Sequence, residues 1–159
     1  MKIIAYLVES FEYYKTPAML IGMPACTFKC CREQGLPVTV CQNQPWASMP
    51  TVDLSNEFLI ARYRNNSISS AIVFAGLEPL DSFDEVISFV RDFRKTYNDP
   101  VVIYTGFRED EVTQKIKELQ EFPNIIVKFG RYVPGEKCHF DEVLGIELAS
   151  SNQYAKQIS

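Results

Sequence analysis

Four of the five cysteines, Cys26, Cys30, Cys31 and Cys41, fall within sixteen consecutive positions; Cys138 stands apart, beside the only histidine, His139. Thiolates are soft ligands, and several converging on one point select zinc, copper(I) or an iron-sulfur cluster. Clustered cysteines can instead form a disulfide framework, but that use belongs to short exported chains. The first residues do not read as an export signal, because the apolar run after Lys2 is short and ends at Glu9 without a small-residue cleavage site. The cysteines therefore read as metal ligands, against the competing reading of any one of them as an ordinary core residue.

The spacing narrows the choice of metal. Structural zinc takes paired ligands on two knuckles and closes a four-ligand site. Here Cys26 and Cys30 are separated by three residues, and Cys41 has no neighbouring cysteine or histidine to complete a second pair. Three thiolates suit a different object: a [4Fe-4S] cube held at three corners keeps its fourth iron open to a small molecule.

These residues must be carried on a scaffold, and the rest of the chain reads as a parallel α/β sheet. Apolar runs at Ala18–Met23, 71–75, Val101–Tyr104 and 125–127 are bounded by Pro, Gly or Asn and predict buried strands. Residues 1–9 read as a further strand. Between the runs, Phe83, Val86, Ile87, Val90, Phe93 and Tyr97 recur at helical intervals behind Ser82 and Glu85, which read as a capping-box pair. Residues 54–63 and 109–119 supply two more helices. Ligand sites in such sheets form beyond the carboxyl ends of the strands, where the cysteines and the Gly76-Leu77-Glu78-Pro79 segment both fall. One domain over residues 1–159 is expected, since a chain of this length buries roughly two-thirds of its extended surface.

Cys26-Thr27-Phe28-Lys29-Cys30 after a buried strand resembles the opening of the C-x3-C-x2-C loop of radical-SAM enzymes. Val40-Cys41-Gln42-Asn43 resembles the surroundings of that loop's third cysteine, with residues 31–40 carrying an insertion. Gly76-Leu77-Glu78-Pro79 resembles the family's Gly-Gly-Glu-Pro segment, with Leu77 in place of the second glycine. The resemblance implies a reduced, partial radical-SAM (β/α) barrel with a mostly parallel sheet, binding a [4Fe-4S] cluster and S-adenosyl-L-methionine. Cys26, Cys30 and Cys41 would be the cluster ligands, with Cys31 the competitor for the third position. Gly76, Leu77 and Glu78 would bind the methionine amine, Val40 would meet the adenine, and Thr105 would line the same pocket. No catalytic side chain is implied beyond the cluster ligands.

Residues 102–107, 129–133 and 150–153 resemble the activating proteins of anaerobic (class III) ribonucleotide reductase. That resemblance implies generation of a glycyl radical on a reductase partner, with electrons from a flavodoxin or ferredoxin. A radical-SAM enzyme acting on a small molecule, and a non-enzymatic iron-sulfur or zinc module, are the alternatives. A net charge of -4 argues against nucleic acid as a partner. With no apolar run long enough for a membrane span, a cytoplasmic location is expected. Isolated residues such as Cys138 and His139 are read as structural or surface.

Overall fold

The computed structural model describes residues 1–13 and 15–159. The chain opens with β1 (Lys2–Ile3), β2 (Ala5–Ser10) and β3 (Ala18–Met23). The cysteine segment follows, with helix α1 (Lys29–Glu33) and short 3-10 turns at Val38–Val40 and Gln44–Ser48, and ends at β4 (Val52–Asp53). Then come α2 (Asn56–Arg64), β5 (Ile72–Gly76), α3 (Phe83–Phe93), β6 (Val101–Tyr104), α4 (Thr113–Leu119) and β7 (Ile125–Phe129). A hairpin of β8 (His139–Asp141) and β9 (Ile146–Leu148) precedes β10 (Tyr154–Gln157).

Six strands form one sheet in the order β10-β7-β6-β5-β3-β2. The four central strands are parallel, and β2 and β10 run antiparallel along the two edges. Every residue of β3 and β7 is buried, which is why those strands show no apolar-polar alternation, Lys128 being their one charged residue. Successive side chains still point to opposite faces. Met19, Ile21 and Met23 join Phe74, Ile103 and Val127 in a core with Leu59 and Tyr63 of α2, Val86, Phe89 and Phe93 of α3, and Ile116 and Leu119 of α4. All three crossover helices thus pack on one face. Phe89 lies edge-on to Phe74 at 5.4 Å and stacks on Phe93 at 5.7 Å; full burial of each ring contributes on the order of 2 kcal/mol. The opposite face, carrying Ala18, Leu20, Val73, Val102 and Ile126, is covered by Leu144 and Leu148 from the hairpin region.

Three local expectations need correction. Residues 1–9 do not form one strand: β1 pairs with β4, and only after Ile4 does the chain join the main sheet as β2. Ser82 and Glu85 make no capping box, because the Ser82 side chain makes no cap hydrogen bond and the Glu85 carboxylate accepts from the Lys2 amide at 3.1 Å. The expected helix over 109–119 is a 3-10 turn at Glu109–Glu111 followed by α4. The helix after the cysteines does start at a cap, where Ser55 accepts from the Phe58 amide at 3.1 Å. Among the described residues, no helix is long and apolar enough to cross a membrane.

Candidate metal centre

The carboxyl ends of β3, β5, β6 and β7 lie side by side, and each releases functional residues onto the same rim. Beyond β3 the backbone continues the parallel pairing with β5: the Leu77 amide donates to the Met23 carbonyl at 3.2 Å, and the Glu78 amide to the Ala25 carbonyl at 2.8 Å. The Thr27 amide then donates to the Asp81 carboxylate at 2.7 Å. Phe28 adopts a left-handed conformation (φ 51°) that turns the chain into α1. Cys30 and Cys31 therefore sit on a short helix within the segment whose opening resembles the C-x3-C-x2-C loop.

Consecutive residues on a helix point about 100° apart, yet the Cys30 and Cys31 thiols stay close enough to interact. Cys26, Cys30 and Cys41 line one cavity of about 460 Å³, together with Gly76, Leu77, Glu78 and Thr105. Cys31 is buried and faces an adjoining cavity of about 370 Å³ that Cys30 and Cys41 also line, with Leu36, Val40 and Tyr132. Val40, expected beside the adenine, lines this second space and not the first. Cys138 is exposed and lies outside both cavities.

The donor set fits a [4Fe-4S] cluster better than a single ion. Among the described residues, no three His, Cys, Asp or Glu side chains are close enough to hold one metal ion. Zinc draws its thiolates to one point at about 2.3 Å, whereas a cluster offers each thiolate its own iron and accepts more widely spaced donors. Burial pushes the Cys26 thiol up to about 12 and the Cys30 thiol up to about 11. Both keep their protons until a metal displaces them, as metal binding to cysteine requires.

The Gly76–Glu78 segment is shaped by one glycine. Gly76 takes φ +90°, so the left-handed residue is Gly76 and not Leu77, and the leucine is tolerated. Glu78 is buried, with one carboxylate oxygen accepting from the Gly106 amide at 2.8 Å and the other from the Leu80 amide at 3.0 Å. Thr105 adds a side-chain hydrogen bond to it. A carboxylate offers about four acceptor positions, so these three donors leave one for a ligand. Burial raises the Glu78 carboxyl to about 7 against these hydrogen bonds.

Three residues of the site, Lys128, Trp46 and Glu111, were not singled out from the sequence, and Arg131 entered only as part of segment 129–133. Lys128, 7% exposed within β7, lines the cavity and donates to the Gly130 carbonyl at 3.0 Å. Burial lowers it to about 8, opposed by the nearby Glu78 and Cys30. Its signal was a lysine inside the apolar run Ile-Ile-Val-Lys-Phe, since lysine is almost never buried without a role. Trp46 forms another wall. Arg131 and Glu111 lock the outside of the cysteine helix. The Arg131 guanidinium grips the Glu111 carboxylate through both terminal nitrogens at 2.8 Å and also bonds Glu33 of α1, while Lys29 of α1 reaches Glu111 at 2.7 Å. This bidentate fork holds the Glu111 carboxyl well below the usual carboxylate range. Arg131→Ala leaves the nearly buried Glu111 with only Lys29 and the exposed Arg108 as cationic partners, and is expected to cost about 3 kcal/mol in a denaturant unfolding midpoint.

The two tail segments singled out by resemblance close the far side of the rim against each other. Asn152 donates to the Arg131 carbonyl at 3.0 Å, and the Val133 amide to the Ser150 hydroxyl at 2.8 Å. A Cβ on Gly130 would meet the Asn152 carbonyl oxygen at 2.7 Å, so only glycine fits there.

Comparison with known families places this rim in context. Residues 23–153, most of the chain and all of the rim, match the family model described as a 4Fe-4S single cluster domain. No curated protein matches the sequence.

Proposed function

The chain belongs to the 4Fe-4S single cluster domain family and is an iron-sulfur protein; from that premise we propose that it is a radical-SAM activase that generates a glycyl radical on an anaerobic ribonucleotide reductase. The observation that carries the proposal is the meeting, around one cavity, of three thiols with the Gly76-Leu77-Glu78 turn. The mutual packing of the tail segments 129–133 and 150–153 supports the choice of partner, because these segments carry the resemblance to the reductase activases.

What a bound cluster supplies is one-electron reduction of the sulfonium of S-adenosylmethionine, with electrons from an external flavodoxin or ferredoxin; methionine leaves, and the 5′-deoxyadenosyl radical takes a hydrogen atom from a partner glycine. The chain's own work is placement. Cys26, Cys30 and Cys41 hold three corners. Glu78 has its remaining acceptor position for the methionine ammonium, and the second lone pair of the Gly76 carbonyl is a further acceptor. Lys128 provides a buried cation for the methionine carboxylate. Thr105 and the Gly106 amide fix the Glu78 carboxylate on the cavity wall, and the apolar walls from Leu7, Leu20 and Ala75 keep water from the reacting bond. No acid or base is needed for hydrogen-atom transfer.

Anaerobic reconstitution tests the reading. The protein is expected to take up about four irons per chain and, given dithionite and S-adenosylmethionine, to form 5′-deoxyadenosine. A small-molecule enzyme would form it without requiring the reductase, whereas the activase yields a glycyl radical signal by electron paramagnetic resonance only when the reductase is present. Protein that binds zinc in place of iron, or iron without cleaving the cofactor, would refute the proposal.

A further inference from the structure

The site contains two glycines facing one ring. Trp46, the only tryptophan in the chain, lies in the 3-10 turn that follows Cys41. A Cβ built on Gly22 of β3, or on Gly76 at the end of β5, would stand 2.8 Å from the same indole carbon, Cζ3. Real Cβ atoms do not approach so closely, so the indole occupies the space that a side chain at either position would take. Gly76 also needs to be glycine for its positive φ, but Gly22 has no such backbone requirement. At Gly22 the ring is the main reason, the Ala5 carbonyl at 3.3 Å being the other neighbour.

The same turn holds Gly76 from a second side. Asn43 donates from its side-chain amide to the Gly76 carbonyl at 2.6 Å, and the Asn43 carbonyl accepts from the Trp46 amide at 3.0 Å. The Gln44 amide in turn donates to the Cys41 carbonyl at 3.0 Å. One short segment therefore links the third thiol to the residue that opens the Gly76–Glu78 turn, with the indole against its Cα and the amide on its oxygen.

We propose that Trp46 is a positioning residue for the ammonium subsite: seated on Gly22 and Gly76, and working with Asn43, it fixes the turn that presents the Gly76 carbonyl and Glu78 to the amine of an α-amino-acid sulfonium. The inference rests on the function proposed above, and it assigns Trp46 neither to iron binding nor to direct ligation of the cofactor. Groups that orient a binding shell from behind typically change affinity by about 10–100-fold when removed, and a loss in that range is expected here.

The experiment uses anaerobically reconstituted protein and measures iron per chain, then S-adenosylmethionine binding by equilibrium dialysis. Trp46→Ala is expected to keep wild-type iron and bind the cofactor at least tenfold more weakly, while Trp46→Phe retains most of the affinity. Gly22→Ala displaces the indole without touching a thiol or Glu78, so it should weaken binding similarly, and it should add little in the Trp46→Ala background. It also reports independently should Trp46→Ala fail to fold. Wild-type affinity in both Trp46→Ala and Gly22→Ala overturns the inference. So does iron loss in proportion to lost binding, which would make the indole a support for the thiols. Wild-type protein that holds iron but does not bind S-adenosylmethionine overturns the function itself, an outcome distinct from either.

Discussion

Cys41→Ala is expected to abolish cluster binding on anaerobic reconstitution, while Cys31→Ala should retain close to wild-type iron. The two residues are the rivals for the third corner, and the cavity that holds Cys26 decides between them, because Cys41 lines it and Cys31 does not. Cys30 and Cys31 are consecutive in α1, and both line the adjoining cavity together with Cys41. Cys30 faces the cavity that also holds Cys26 and Cys41, and Cys31 is 4% exposed beside Leu36. A cube with two thiolates in place of three is not expected to survive purification, so the effect of Cys41→Ala is full loss, read as iron per chain and visible absorbance. Cys31→Ala removes a small buried side chain and should register mainly as a modest loss of stability. The reverse pattern would assign the third corner to Cys31 and leave the 3-10 turns after it without a role at the metal.

Glu78→Gln is expected to weaken S-adenosylmethionine binding about a hundredfold while iron content stays unchanged. Two effects add. The charge-assisted bond to the ammonium is lost, and such bonds are worth roughly 1.5–3 kcal/mol. The glutamine amide also brings an N–H donor against the Gly106 or Leu80 amide, leaving one buried donor unpaired. The acid limb of the pH profile gives a second readout. The Glu78 carboxyl stands at about 7 in the folded protein against an ordinary 4.5. Between these values the folded chain binds more protons than the unfolded chain, so this group's contribution to stability falls as pH rises through that window. An ammonium ligand reverses the preference and expels the proton. Affinity should therefore climb by up to about tenfold per pH unit below 7 and level off above it. Glu78→Gln should flatten that limb, and a flat limb in the wild type would show that the carboxyl does not meet the ligand.

How far the sequence could be read depended on how local the physics was. β3 and β6 fall where their apolar runs begin and end, because both strands are buried and punctuated by Pro or Gly. The α3 stripe is visible because one helix face carries the core. The hairpin β8–β9 left no such trace: its strands are three residues long and Phe140 faces solvent. α1 is five residues of Lys-Cys-Cys-Arg-Glu, with no apolar period to announce it. The Ser82–Glu85 box failed for a tertiary reason, the Lys2 amide claiming the carboxylate from far along the chain. At the site, the thiols and the Gly76–Glu78 turn were legible by type and spacing. Trp46 against Gly22 and Arg131 against Glu111 were not, since only folding brings them together.

The backbone bonds from Leu77 to Met23 and from Glu78 to Ala25 extend the sheet to the threshold of the first thiol without any help from sulfur. The approach to Cys26 is thus aligned by backbone amides and not by a metal.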